Sequence, residues 1–284
     1  MTMKRWIPLL LILLLPASLS LACSTSLSIP RIETGELQVF TIQEPASTQG
    51  VTLVEIQMGS GQLDIAAGGL GLLEGEIRYN VPDWAPELSH FSDHLTLRQE
   101  RTQAGIPENI VTNDWDLRIG PWPVDLRIEA GAYRGELNLT GLQLANLEIS
   151  DGTGDARVVF EAPNPLTMDH LRYETGASQV RMTGLGYANF DDMTFSGRAG
   201  NYSLDFSGPL QHDARVVISA GFSNLTLIFP ENLPVRVAVA GLLNNVSVSG
   251  RWLVENGVYT RSGDGPVLEV EVKMSLGNLN LNVE

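Results

Sequence analysis

Residues 147–160 read "LEISDGTGDARVVF", apolar and polar side chains alternating into a glycine corner and alternating again after it. Residues 216–229, "VVISAGFSNLTLIF", repeat that design in other letters. Alternation with a period of two places every second side chain on one face of an extended strand. The unit recurs as "LRIEAGAYRGELNL" (126–139), "LRYETGASQVRMTG" (171–184), "MTFSGRAGNYSLDF" (193–206) and "VAVAGLLNNVSVSG" (237–250). Its corner glycines, Gly131, Gly154, Gly176, Gly200, Gly221 and Gly241, stand 23, 22, 24, 21 and 20 residues apart. Glycine suits a corner because the backbone turns there through angles that a side chain resists. A repeat of this length is the size of one β-solenoid coil, whose apolar interior becomes continuous only when neighbouring coils stack. The expected fold is therefore all-β, a right-handed β-solenoid with coils of about 20–24 residues. A β-sandwich is the alternative, since long hairpins reproduce the same spacing. Residues 251–266, "RWLVENGVYTRSGDGP", read as an excursion from the last repeat, and 268–284 as a closing strand, turn and strand.

Working outward to the N-terminus, "MTMKRWIPLLLILLLPASLSLAC" has a basic start at Lys4 and Arg5 and an apolar run from Ile7 to Leu15. That run falls short of the roughly 20 apolar residues that span a bilayer and ends at small residues, as a secretion signal does. Cys23, the one cysteine in the chain, follows Ala22 directly, where a bacterial lipoprotein carries its lipid. "Ser20-Leu21-Ala22-Cys23" departs from the lipobox in having Ser at the third position before Cys. The reading is a signal peptide over 1–22, lipidation at Cys23, a Ser/Thr-rich tether over 23–35, and an extracytoplasmic, membrane-anchored body. Free secretion and an uncleaved anchor are the alternatives.

Short strand-like runs bounded by Gly, Pro or Asp follow at Leu37–Ile42, Val51–Gln57, Gln62–Ala66, Glu74–Asn80 and His94–Gln99. No long stretch supports a helix. "VEIQMGSGQLDI" and "GLLEGEIRYNVPDWAPELSHFSDHLTLRQE" (71–100) together resemble the N-terminal region of bacterial toast-rack domain proteins. There a Gly-x-Gly turn precedes a Leu-Glu-Gly strand, an Asn-Val-Pro stop and a Leu-Thr-Leu-Arg-Gln strand. The likeness covers roughly residues 36–101, and the part beyond it resembles the β-rich remainder of LiaF-like and adhesin-head proteins. It implies a toast-rack region over 36–119, a repeat region over 120–284, a cell-envelope role without catalysis, and a place in the cell-wall stress response.

Composition narrows the partners. Against 33 Asp and Glu stand 18 Lys and Arg, a net charge of −15; loss of Lys4 and Arg5 with the leader gives 16 − 33 = −17. Lysine occurs only at Lys4 and Lys273 and the arginines are scattered, so no basic face is available to neutralise phosphates, and nucleic acid is excluded as the expected partner. An acidic body does not adsorb unaided to anionic lipid, so the membrane is reached through lipid on Cys23. Cell-wall polymer or another envelope protein is the remaining partner class.

Motifs for chemistry are few. There is no Gly-x-Ser-x-Gly elbow, phosphate loop or HExxH, so the expectation is a protein that is not an enzyme and carries no cofactor. A carbohydrate-active enzyme or a lectin-like polysaccharide binder is the competing class, and the former needs two placed carboxylates. His90 and His94 in "HFSDH" fall about 13 Å apart along one extended strand, too far to share an ion with Asp93, and a polar turn is the plainer account. "DGTGD" (151–155), "NFDD" (189–192) and "SGDG" (262–265) gather carboxylates around turns but lack the ordered spacing of calcium loops. Tyr133, Tyr202 and Phe222 follow corner glycines and are candidates for surface aromatic contacts with sugar rings; the alternative is an internal stack sealing the corner. Asn138, Asn201, Asn224 and Asn245 begin Asn-x-Ser/Thr triplets, read as polar strand faces and not as glycan acceptors.

Overall fold

The computed structural model describes residues 31–46, 50–99, 106–107 and 109–284. The proposed leader and Cys23 lie outside the described residues. Apart from two single-turn 3₁₀ helices, Pro82–Trp84 and Leu185–Tyr187, the described elements are strands. No described helix is long and apolar enough to cross a membrane. The first eight strands are β1 (Arg31–Ile32), β2 (Gln38–Glu44), β3 (Thr52–Ala67), β4 (Leu73–Tyr79), β5 (Pro86–Phe91), β6 (His94–Gln99), β7 (Ile106–Pro107) and β8 (Asn113–Ile119). The repeats follow as β9 (Pro123–Asn138), β10 (Gln143–Val159), β11 (Met168–Thr183), β12 (Phe190–Asp205), β13 (Ala214–Phe229) and β14 (Val235–Val248). A hairpin of β15 (Leu253–Glu255) and β16 (Val258–Arg261) precedes β17 (Leu268–Val283).

Nearly all of them join one open sheet, in the order β15-β16-β14-β17-β13-β12-β11-β10-β9-β3-β8-β4-β2, with β6 and then β5 added beside β3. The repeating strands pair parallel, which hairpins cannot do. Leu126, Leu147, Leu171, Met193 and Val216 lie side by side, so consecutive strands are offset by 21, 24, 22 and 23 residues. The sheet crosses residue 120 without interruption, because β3 pairs with β9 over nearly its whole length.

Each long strand changes phase at its middle. In β13 the buried residues Ala214, Val216, Ile218 and Ala220 are even-numbered, and Leu225, Leu227 and Phe229 beyond the corner are odd. In a straight strand such a slip would turn the second apolar row to solvent. Here the strand bends where it slips, so both limbs bury their rows in one core. Return segments close the third side with Leu139, Leu142, Phe160, Leu185, Phe206 and Leu233. Each such burial contributes about 1.5–3 kcal/mol, which sets the stacking as the main stabilising term.

Two expectations need correction. The corner glycines do not form one column. Gly154, Gly200 and Gly277 share a register position with Tyr133 and Ser178, whereas Gly241 aligns with Ala220 and Met274, and Gly131, Gly176 and Gly221 lie between those rows. The turn occupies several residues, and glycine is demanded at whichever of them approaches the neighbouring strand most closely. At Gly200 (φ 151°) an added Cβ would stand 1.9 Å from the Ser178 carbonyl oxygen.

The second correction concerns order. The repeat at 237 follows the one at 216, yet β14 does not pair with β13; β17 lies between them, parallel to both. The inward row of β17 (Leu268, Val270, Val272, Met274, Leu279, Leu281) is wholly apolar and buried, as a slot covered on both sides requires. β14 carries the smaller Val246 and Val248 on its second limb and takes the end of the stack. The 251–266 excursion makes this possible by folding back as β15–β16, with β16 antiparallel on the first limb of β14.

Candidate binding surface

Outward side chains form transverse rows across the strands on both limbs. On the first limb Glu55, Arg127, Glu148 and Arg172 form a transverse row, one residue per strand. Arg127 Nε donates to Glu148 at 3.1 Å, and Arg172 lies 4.0 Å from the same carboxylate. Beside it Asn146 Nδ2 donates to Asp125 Oδ1 at 2.8 Å. Asp125, Arg127, Asn146, Glu148 and Arg172, with His170, line a shallow groove of about 530 Å³. Opposite charges placed directly across strands stabilise a sheet, and exposed pairs of this kind contribute little individually. At the far end of this face Lys273 and Arg215 hold the exposed Glu271 carboxyl below its ordinary range, first through the Lys273 hydrogen bond.

On the second limb of β12, β13, β17 and β14 the outward rows are neutral, whereas in β9–β11 the same rows carry Arg134, Asp155, Glu136, Arg157 and Arg181. Asn201, Asn224, Asn278 and Asn245 stand side by side, and the next row is Ser203, Thr226, Asn280 and Ser247. Asn224 Nδ2 donates to Asn201 Oδ1 at 3.0 Å, and Asn278 Nδ2 donates to Asn224 Oδ1 at 2.7 Å. The spacing between such residues is that of adjacent strands, about 4.8 Å, with about 6.7 Å between the rows. The Asn-x-Ser/Thr triplets at 201, 224 and 245 thus supply both rows, because i and i+2 share a face. Asn138 lies on another row.

Inside the corner is a buried polar cluster that sequence reasoning missed. Asp151, 7% exposed, accepts a hydrogen bond from Tyr173 Oη at 2.7 Å and one from Ser178 Oγ at 2.9 Å, with Thr175 Oγ1 against the same oxygen as Ser178. Each hydroxyl has one proton, so Tyr133, 3.3 Å from Tyr173, is the donor between the two phenols. Burial, aided by the Asp151 charge, raises Tyr133 and Tyr173 well above the ordinary phenol range and pushes Tyr202 up to about 12. The signal available in sequence was an Asp at the corner of one repeat, with Thr and Ser in the next repeat bracketing Gly176.

Tyr133 (5% exposed) and Tyr202 (2%) face the core, so the internal seal replaces the reading of these two as surface contacts. The phase slip after the glycine turns them inward, where Tyr202 packs edge-on against Phe195. Phe222, 68% exposed, is the one of the three at the surface. It adjoins Leu276 on the corner of the next strand. His90 and His94 lie on opposite strands of a hairpin turning at Ser92 (φ 57°), and bind Glu44 and Glu55 respectively. Asp191 approaches His212 at 3.4 Å, and Asn189 (φ 57°) donates to the carbonyls of Asn164 and Leu166. Asp264 is exposed in a turn. Among the described residues no group of three or more His, Cys, Asp or Glu is placed to hold a metal ion.

The strands Leu73–Tyr79 and His94–Gln99, with the Asn80-Val81-Pro82 stop between them, lie within residues 33–169, which match the family model of the N-terminal domain of toast_rack. Residues 33–169 are a toast-rack N-terminal domain. It includes β9 and β10, so the toast-rack match runs well into the repeats. No curated protein sequence is similar to the chain. Solved structures of similar course are a candidate cell adhesion protein from Clostridium sporogenes (TM-score 0.46, 18% identity, covering 88% of this chain and 99% of that one) and a candidate adhesin from Bacteroides fragilis (0.42, 11%, 88% and 99%). A candidate lipid binding protein from Parabacteroides distasonis gives 0.36 at 9% identity, with 88% and 99% covered. Likeness this weak says nothing about a shared ligand.

Proposed function

We propose that this toast-rack protein is a non-catalytic cell-envelope protein, exported, held to the membrane through lipid on Cys23, that adheres to or scaffolds on uncharged cell-wall glycan. Its parallel strands and return segments are read as right-handed solenoid coils of about 20–24 residues. The observation that carries the reading is the neutral amide and hydroxyl array on the second limb: four Asn in one row, and Ser, Thr, Asn and Ser in the next. In a chain of net charge −15, eight uncharged hydrogen-bonding side chains on one flat face suit a polar, uncharged and repetitive partner. Hydroxyl-rich polymers offer donors and acceptors at regular intervals, and many weak contacts on a rigid face sum without an ordering cost on the protein side.

The test is co-sedimentation of the purified chain with insoluble peptidoglycan and with neutral polysaccharides. Retention is expected to persist at 0.5 M salt, because no counter-ions are displaced. Each neutral hydrogen bond contributes about 1 kcal/mol, or about fivefold, so the Asn201→Ala/Asn224→Ala double variant is expected to bind about 10–30-fold more weakly. Retention by no glycan, or retention that the double variant leaves unchanged, refutes the reading.

A further inference from the structure

One end of the stack is half covered. The β15–β16 hairpin lies along the first limb of β14, pairing from Val235 to Ala238, and is pinned there by Trp252, which packs edge-on against Phe229 and under Arg261. The second limb, ending at Val248, pairs with β17 on its inner side, and among the described residues no strand pairs with its outer side. Natural edge strands are ordinarily guarded by charge, proline or a bulge. This one is not: residues 237–250 contain no Asp, Glu, Lys, Arg or Pro. Its inward row is also left open. Leu279 and Leu281 of β17 are fully buried, whereas Val246, the neighbour of Leu279, is half-buried and Val248, the neighbour of Leu281, is 45% exposed. The exposed Leu253 and Val254 of the hairpin add to the apolar surface at this end.

We infer that the second limb of β14 is a self-pairing edge, joining two copies of the chain antiparallel about a two-fold axis through Ser247. The backbone directions select that register. The N–H of Ser249 bonds to Leu281 O on β17, so by strand alternation the groups of Ser247 and Asn245 also face β17. Those of Val246 and Val248 face outward. Placing Val246 opposite Val248 of the second copy makes both hydrogen-bonded pairs and sets Ser247 opposite its own counterpart as the close, non-hydrogen-bonded pair. A two-fold axis normal to the sheet keeps Val246 and Val248 of both copies on the core side, so the two apolar interiors meet end to end. The second copy is the occupant that fits, because the strand is self-complementary in this register. Its lack of charge also removes the like-charge penalty that two acidic chains would otherwise incur at the contact. A five-residue edge is small beside the roughly 1,200 Å² that stable interfaces bury, so the association is reversible and concentration-dependent.

The experiment uses the full chain purified in mild detergent, with protein mass read by light scattering across a hundredfold concentration range. The expected result is a shift from one-chain to two-chain mass. Val248→Pro, which removes an outward N–H and leaves the β17 ladder intact, and Ser247→Lys, which sets two like charges together, are each expected to abolish the shift without lowering the melting temperature by more than a few degrees. Opposed residues of a non-hydrogen-bonded antiparallel pair have Cα atoms about 4.5 Å apart, within disulfide range. Ser247→Cys is therefore expected to give an inter-chain disulfide on mild oxidation, over the background set by Cys23 in the wild type, and Asn245→Cys is not. A wild-type chain of one-chain mass throughout, a mass that climbs past two chains, or equal cross-linking at 245 and 247 overturns the inference. None of these readouts involves glycan, so the inference and the proposed function can fail separately.

Discussion

Replacing Asp151 with alanine tests whether the buried corner cluster ties neighbouring strands together. The carboxylate accepts from Tyr173 and Ser178 across the β10–β11 boundary, and Tyr133 extends the chain of hydroxyls to β9. Alanine removes the acceptor of the Tyr173 and Ser178 protons, while the Tyr133–Tyr173 and Thr175–Ser178 bonds remain, and each proton left without an acceptor costs about 1–3 kcal/mol. Relief of the desolvated carboxylate offsets part of this, so a net loss of about 2–4 kcal/mol is expected. Asparagine keeps the carbonyl that Ser178 needs and presents an amide to Tyr173, whose hydroxyl accepts once the Tyr133 bond is given up; about 1 kcal/mol is expected. Urea unfolding followed by tryptophan fluorescence measures both, and at about 2–4 °C per kcal/mol the alanine variant should melt about 4–16 °C below wild type. An alanine variant within about 0.5 kcal/mol of wild type would refute the view that the cluster is structural.

Three further outcomes follow from the same geometry. Burial raises the pKa of Tyr133, Tyr173 and Tyr202, so the stability they confer is complete below about pH 10 and is lost progressively above it, for Tyr202 as pH rises through about 12. Phenolate absorbance should accordingly show three of the six tyrosines silent at about pH 11 in the folded chain and titrating normally in urea. Gly200→Ala places a Cβ against the Ser178 carbonyl at a positive φ, and is expected to cost at least about 3 kcal/mol by chemical denaturation. Trp252→Ala removes the ring that covers Phe229 and is expected to cost about 3 kcal/mol, with faster hydrogen exchange in β15, β16 and the first limb of β14 and little change in β10.

Much of the architecture was legible because strand patterning is local. The runs at Leu37–Ile42, Glu74–Asn80 and His94–Gln99 reappear within a residue or two as β2, β4 and β6, and Val51–Gln57 and Gln62–Ala66 fuse into the single bent strand β3. Repetition of one apolar row at intervals near 22 residues suited stacked coils or long hairpins alike, and the parallel pairing of β9–β13 decides for stacking. The binding surface was half legible: the Asn-x-Ser/Thr triplets read correctly as polar faces, but nothing in them told that Asn201, Asn224 and Asn245 share a row in which Asn278 stands between the last two.

What the sequence by itself determined is the alternation, the corner and the charge balance, since each depends on a residue and its near neighbours. What only the tertiary structure decided is which way a side chain points past the corner and which strand sits beside which. Tyr133 and Tyr202, two residues past Gly131 and Gly200, turn inward while Phe222, one residue past Gly221, turns out; a one-residue difference in a tight turn inverts the face. β17 displaces β14 from the side of β13 because an interior slot rewards the more complete apolar row, and that competition is between segments far apart in the chain.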